Sequence, residues 1–437
     1  MPQGSAGLVR VIWRWSLTAL MINTMIGASI FGLPSIIAAH LGGLSPAAYL
    51  IAGAGVGVIA ACLAEVASQF REAGGPYLYA RAAFGRFAAI QVGWLTWLTR
   101  IAAASAVANL FISYLAQFFP RVNDPVMRAS VLAILIAFLA VVNYRGVSGG
   151  SQLSNFFTVT KLALLTIFII GGLTALLLHP DVRVTPAAHA TLASDWFDAI
   201  ILMVYAYGGF EAALFATGEA QNPRKDTPMA LLTALLTVTV LYISVQYVVV
   251  HTLADPATTT KPAADSALRF FGPLGASLVA AGTLVSAYGY LSANMLHTPR
   301  VTFAMGERGD FPAFFGAIHP RFRTPHVSIV AFALLVLAFS IGGGFRSNAT
   351  LSAISRLIVY GSIAAALPTL RRKLPQSDAF RLPGAWVFVV LGLLFTGVLA
   401  MQMHLRELVA LAITFGLGLL NWLAVRGRAP AAPSETA

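Results

Sequence analysis

Apolar residues form a series of long, uninterrupted runs along the chain, and short segments between the runs hold most of the charged residues. A helix needs about 20 apolar residues to cross the hydrocarbon core of a bilayer. Lipid offers no hydrogen bonds to the backbone, so only helices and closed β-barrels can span it, and barrel strands would be short and alternating. The continuous runs therefore predict an all-α, polytopic membrane protein with about 12 transmembrane helices.

The predicted helices are numbered 1 to 12 in chain order. Their spans are Arg14–Ala38, Ser45–Ser68, Phe84–Phe119, Val126–Tyr144, Gln152–Leu178, Asp195–Thr217, Thr227–Leu253, Gly275–Met305, Thr324–Gly342, Thr350–Leu370, Pro383–Met403 and Arg406–Val425. We expect a single transmembrane domain over residues 1–437. Residues 14–178 form its first set of five helices, residues 195–370 form the second set, and residues 383–425 add two helices.

The composition supports a surface that faces lipid. Hydrophobic residues make up 58% of the chain and charged residues only 10%, against about 25% charged in an ordinary soluble domain. The formal net charge of +12 does not indicate nucleic-acid binding, because the basic residues are scattered through short loops rather than gathered in a patch.

The distribution of lysine and arginine predicts the topology. Of the 28 basic residues, 18 fall in the loops and termini of one side and 7 in those of the other, with three inside helices. Because cytoplasmic loops carry the excess of positive charge, both termini are predicted to lie in the cytoplasm. We expect the protein to reside in the inner (plasma) membrane, with the lipid bilayer as its surroundings.

Two predicted helices are interrupted by small residues. Gly27-Ala28-Ser29 breaks helix 1, and Gly208-Gly209 breaks helix 6. These helices open the two sets of five, and glycine interruptions at corresponding positions of two halves indicate a transporter binding site. The alternative is close packing of helices at small residues. An unwound segment frees N–H groups that attract an anion and carbonyls that suit a cation, so two facing breaks suit a zwitterion.

Three stretches of the sequence belong together. They are Ile26–Pro34, the segment from Ala64-Glu65 through Gly74-Gly75-Pro76-Tyr77 to Phe84-Gly85, and Tyr205–Glu211 continuing through Asn222-Pro223 to Pro228. These stretches resemble the amino acid–polyamine–organocation (APC) superfamily of secondary transporters. Their order and spacing carry the resemblance over nearly the whole chain. Ser29 departs from the pattern, because many members carry glycine at this position, and its side chain narrows the expected pocket.

The resemblance implies an inverted repeat of five plus five helices (the LeuT-type fold) with breaks in helices 1 and 6. It implies that the substrate carboxylate is bound at Gly27, Ala28 and Ser29. It implies that the substrate amino group is bound by the carbonyls of Met25, Tyr205 and Gly208. Tyr205 falls where the family places a gating aromatic residue, although a tyrosine that only faces the bundle fits the sequence equally well.

Charged residues inside membrane helices are candidates for function. Burial disfavours the charged form of an amine, so Lys161 of helix 5 is predicted to couple transport to protons. The resemblance supports this role, and a permanently charged structural lysine bonded to helix 1 is the alternative. Ser286 and Ser292 could instead serve sodium coupling. Glu211 is expected to cap the second half of helix 6 or to sense protons.

Three further charges lie in or near the predicted helices. Arg100 is expected to pair with an unidentified carbonyl or carboxylate inside the bundle. Arg356 is expected to extend outward towards the membrane surface. Glu65 lies near the inner end of helix 2 and is expected to contact a gate or a loop.

The leading function is alternating-access transport of amino acids or related amines, with proton coupling favoured over sodium coupling or obligate exchange. An intramembrane enzyme would need clustered acids, bases or metal ligands at the midplane, and a channel would need a repeated pore-lining element. The sequence shows only isolated charges, so no catalytic residue, metal or cofactor is expected. It does not determine the transported molecule or the oligomeric state.

Overall fold

The computed structural model describes residues 13–70, 75–146, 150–186, 191–213, 221–374 and 380–427. Within these ranges every regular element is a helix. The α-helices are α1 (Arg14–Met25), α2 (Leu33–Leu41), α3 (Ser45–Ser68), α4 (Gly75–Phe84), α5 (Arg86–Leu115), α6 (Pro125–Tyr144), α7 (Gly150–Leu178), α8 (Ala193–Tyr207), α9 (Phe210–Ala213), α10 (Pro223–Thr252), α11 (Pro262–Glu307), α12 (His326–Gly342), α13 (Phe345–Lys373), α14 (Ala385–Ala400) and α15 (Leu405–Val425).

The architecture is that of a polytopic membrane protein, as predicted. Eight helical segments among the described residues are long and apolar enough to cross a membrane, and α12 and α14 are shorter apolar helices. Helix 1 of the prediction corresponds to α1 and α2, and helix 6 to α8 and α9. The five-plus-five inverted repeat stays a prediction.

Burial divides the helices into an inner and an outer set. Helices α3, α5 and α13 are mostly buried within the bundle, whereas α6, α7 and α15 lie mostly at its surface. The surface helices carry exposed leucine, isoleucine and valine, as expected for contact with lipid. The inner helices therefore form the core that surrounds the two breaks.

The largest departures from the predicted helix starts are at α4, α11 and α13. Gly75 and Pro76, expected in a loop, begin helix α4, since a proline in the first turn is compatible with helical backbone. Helix α11 begins at Pro262 and bends at Gly272, where φ is +70°. Helix α13 begins at Phe345 and not at Thr350, because its polar first turn resembles a loop in sequence.

Candidate binding site between two broken helices

The first break separates α1 from α2. After Met25 the chain is extended at Gly27 (φ −84°, ψ −171°) and then forms a 3₁₀ turn over Ala28–Phe31. The first N–H groups of a helical turn have no partner within the turn. The N–H groups of Ala28 and Ser29 also donate to no backbone acceptor outside the turn among the described residues. The break thus presents unpaired donors at the position that the sequence analysis associates with a carboxylate.

The second break separates α8 from α9. Gly209 has a φ of +120°, a left-handed conformation that glycine adopts without strain. The Glu211 carboxylate accepts hydrogen bonds from the Gly209 N–H at 2.8 Å and from the Tyr360 hydroxyl at 3.1 Å. The Glu211 carboxylate therefore caps the second half of the broken helix, and its role in proton coupling stays a prediction.

The two breaks contact each other directly. A Cβ atom on Gly209 would lie 2.1 Å from the carbonyl oxygen of Thr24 in α1. The hydroxyl of Tyr242, on α10, lies 3.0 Å from the Met25 carbonyl and 3.2 Å from the Ala206 carbonyl. One side chain therefore touches the last turn before each break, so the two breaks form a single buried region.

Lys161 of α7 is tied to the first break. Its Nζ donates to the Asn23 carbonyl at 2.5 Å and to the Ile26 carbonyl at 2.7 Å, and the residue is only 8% exposed. Ser286 is buried without a hydrogen-bond partner in the described ranges, and Ser292 is half-buried. The roles of these three residues in coupling stay predictions.

A cluster of charges lies beside the second break. Glu211 Oε1 is 3.6 Å from an Arg100 nitrogen and 3.5 Å from an Arg356 nitrogen. Glu211 is thus the partner that the sequence did not identify for Arg100. The expectation that Arg356 extends outward was wrong, since this residue is 3% exposed. It turns inward because Gly208 leaves room for it and Glu211 attracts it.

The residues predicted to bind an amino group converge here, but the carbonyls of Met25 and Tyr205 already have donors. The Met25 carbonyl accepts from the Gly27 N–H at 2.8 Å and from Tyr242, and the Tyr205 carbonyl accepts from the Gly208 N–H at 3.2 Å. A carbonyl oxygen has two lone pairs. The Met25 oxygen is therefore fully used in this structure, and the binding roles of all these residues stay predictions.

Sequence reasoning missed several aromatic residues of the site. Tyr242 bridges the breaks, and the Tyr290 ring would lie 3.5 Å from a Cβ on Gly27. The Tyr205 ring lies 6.3 Å, centroid to centroid, from Phe345 of α13. These residues sit in apolar runs that carry no local signal, so only the folded arrangement identifies them.

A cavity of about 480 Å³ opens where α8, α13 and α15 begin, and Phe345 lines it. Phe345 also borders the first break, because its ring would lie 2.9 Å from a Cβ on Gly32. A single aromatic side chain therefore contacts the cavity, Tyr205 and the first break. The predicted topology places this cavity on the outer side of the membrane.

Buried acids close the opposite end. Asp310 is fully buried, forms ion pairs at 2.7 Å with Arg81 and with Arg86, and accepts a hydrogen bond from Tyr77. Burial, with a further contribution from Asp310, raises the pKa of Tyr77 to about 12.

A second buried acid, Glu65, pairs with Arg371 through two contacts of 2.6 and 2.7 Å and accepts from the Leu382 N–H at 2.8 Å. This arrangement agrees with the expected contact of Glu65 with a gate or loop.

The fold and site define a polytopic helical membrane protein built around two interrupted helices that meet at buried charges. The chain belongs to the amino acid permease family, whose family model matches residues 12–414.

The chain is similar to three transport proteins of Bacillus subtilis (strain 168). It is 28% identical to a methylthioribose transporter over 87% of this chain and 85% of that protein. It is 30% identical to the serine/threonine exchanger SteT, with 76% and 78% covered. It is 25% identical to the branched-chain amino acid permease BcaP, with 95% and 93% covered.

Proposed function

We propose that this protein is a secondary active transporter that carries amino acids or related amines by alternating access. The observation that carries the proposal is the direct contact between the two breaks, at Gly209 against Thr24. A substrate bound between them would touch both interrupted helices at once. A small shift of either helix would then change the contacts of the substrate, as alternating access requires.

The substrate carboxylate is proposed to bind at Gly27, Ala28 and Ser29, where the N–H groups of Ala28 and Ser29 have no acceptor among the described residues and begin a helical turn. The amino group is proposed to bind at the carbonyls of Met25, Tyr205 and Gly208. The Met25 oxygen already accepts from Tyr242. Amine binding there therefore requires Tyr242 or Gly27 to release this oxygen, which links substrate binding to movement between the breaks.

Lys161 is proposed to couple transport to protons. Its ammonium group donates to two carbonyls at the end of α1, so loss of the proton would weaken the attachment of α1 to α7. Sodium coupling through Ser286 and Ser292 is the alternative. The observation in its favour is that the buried Ser286 hydroxyl has no hydrogen-bond partner among the described residues.

The test uses the purified protein in liposomes that contain no amino acid, with labelled amino acids added outside. An inward pH gradient without sodium should drive uptake by the native protein, and Lys161→Ala should lose the response to the gradient. Lys225→Ala is the matched control, because Lys225 is exposed, and it should behave like the native protein. Two results would contradict proton coupling through Lys161. The native protein would show the same uptake with and without the gradient, or Lys161→Ala would still concentrate substrate in response to it.

Obligate exchange is a second candidate, because one similar protein carries the name serine/threonine exchanger. Liposomes with and without internal amino acid separate the two modes. An exchanger takes up labelled substrate only when the lumen is preloaded, whereas a proton-coupled carrier also fills empty vesicles.

A further inference from the structure

We propose that Arg356 selects substrates with a second carboxylate, so that this transporter carries acidic amino acids; this inference rests on the proposed function. The guanidinium lies at the second break itself. A Cβ on Gly208 would fall 0.7 Å from Arg356 Nη1, so the group occupies the space that the missing side chain leaves. Arg356 is deeply buried, with only 3% of its surface exposed.

Two of the donor nitrogens of Arg356 have no acceptor in the part of the chain that the structure describes. Its Nη2 faces Glu211 Oε1 at 3.5 Å, whereas Nε and Nη1 are buried without a hydrogen-bond partner within the described ranges. Buried donors are almost always paired in native proteins. An unpaired pair of donors on a buried cation, next to the proposed substrate, indicates a group that the substrate supplies.

The surrounding charges show what that group must be. Glu211 faces two guanidinium groups, Arg100 and Arg356, and its Oε2 already accepts from Gly209 and Tyr360. The cluster therefore holds two positive charges and one negative charge. An anionic substrate group balances this charge and supplies acceptor oxygens for the free N–H groups. A carboxylate has both properties.

The carboxylate at Arg356 is distinct from the one proposed at the first break. The α-carboxylate has its own donors at Ala28 and Ser29, and the contact of the two breaks brings Arg356 close to the same substrate. A substrate with two carboxylates satisfies both groups. A substrate with a cationic side chain would instead place a positive charge against an excess of positive charge.

The experiment measures the binding of four amino acids to the full-length purified protein. The melting temperature of the protein is recorded at increasing concentrations of each amino acid. The probes are L-glutamate, L-glutamine, L-leucine and L-lysine. Glutamate and glutamine differ only at the side-chain terminus, so their ratio isolates the second carboxylate. Because hydrogen bonds to charged groups contribute more than neutral ones, glutamate should bind about 10-fold to 100-fold more tightly than glutamine.

Variants assign this preference to a residue. Arg356→Gln should reduce the glutamate/glutamine ratio to about one while glutamine still binds, and Arg356→Lys, which keeps the charge with fewer donors, should retain part of it. Arg100→Gln removes one positive charge from the same carboxylate but keeps the unpaired donors of Arg356, so it should lose only part of the preference. Lys225→Gln is the matched control, because Lys225 is exposed, and it should keep the preference.

Each other outcome overturns the proposal in a distinguishable way. Native protein that binds leucine or glutamine as well as glutamate overturns the acidic specificity and leaves the proposed function standing. Native protein that binds no amino acid overturns both. Equal loss of preference in Arg100→Gln and Arg356→Gln overturns the assignment to Arg356. If Arg356→Gln does not fold, the native ratio and Arg356→Lys decide.

Discussion

Substitution of Gly209 by alanine tests the contact between the two breaks. Gly209 has a φ of +120°, and a Cβ there would lie 2.1 Å from the Thr24 oxygen and 2.9 Å from the Thr24 carbonyl carbon. These are backbone atoms, which cannot rotate away as a side chain can. The protein must therefore either strain residue 209 or separate the two breaks.

The magnitude follows from two contributions. A side chain held at an unfavourable backbone conformation costs about 1–3 kcal/mol. Forcing an extra carbon into a packed interior costs about 1–3 kcal/mol more. Gly209→Ala should therefore destabilise the protein by about 2–6 kcal/mol, which is a large part of the stability of a typical domain.

The assay is the temperature at which half of the purified protein stops eluting as a monodisperse species. Gly209→Ala should lower this temperature by several degrees. Gly397→Ala is the matched control, because nothing lies within 4 Å of its Cβ position in α14, and alanine should leave stability unchanged or raise it slightly. If both variants melt like the native protein, the breaks do not contact each other and the proposed site loses its basis.

Three further substitutions probe the site and its two ends. Gly27→Leu should fold but lose amino acid binding, because the Cβ of an alanine would already contact Tyr290 at 3.5 Å and leucine extends further. A melting temperature that rises with substrate concentration as in the native protein would contradict this. Phe345→Ala should raise substrate on- and off-rates in filter binding by removing the aromatic contact between the cavity and Tyr205, and unchanged rates would exclude Phe345 as a barrier. The pKa of Tyr77 is raised from 10.0 to about 12, so its neutral hydroxyl stabilises the folded state below pH 10 and this contribution is lost as the pH rises from 10 towards 12. The difference in melting temperature between native protein and Tyr77→Phe should be constant from about pH 7 to pH 9 and shrink above about pH 10; a difference that shrinks near neutral pH would refute this.

The sequence predicted the helices and their interruptions well, because apolar runs and glycine within them are local signals. Gly27 and Gly208 could be recognised without any knowledge of the fold. Arg356 was misjudged because its helix is buried on most sides, so no amphipathic pattern shows which way a side chain points. The attraction that turns it inward comes from Glu211, on a helix remote in sequence.

The two ends of the site are closed by different contacts. Towards the cavity, Phe345 supplies an aromatic contact worth about 0.5–1.5 kcal/mol beyond its buried area. At the other end, Asp310 and Glu65 are buried in charge-assisted hydrogen bonds, and removing one partner of a buried ion pair typically costs about 3–5 kcal/mol. The end with the acids should therefore open less readily than the end with Phe345.

Helix α13 links the site to the end with the buried acids, since it carries Arg356 at the second break and Arg371 in the pair with Glu65. The chain's single cysteine, Cys62, is buried one turn before Glu65 on α3, so its rate of alkylation by a maleimide reports on opening there. Arg371→Gln leaves the Glu65 carboxylate buried with the Leu382 N–H as its remaining partner among the described residues. Alkylation should then become at least about tenfold faster, equivalent to 1.4 kcal/mol. An unchanged rate at equal thermal stability would mean that the Glu65–Arg371 pair does not hold this end closed, and that α13 does not connect substrate binding to its release.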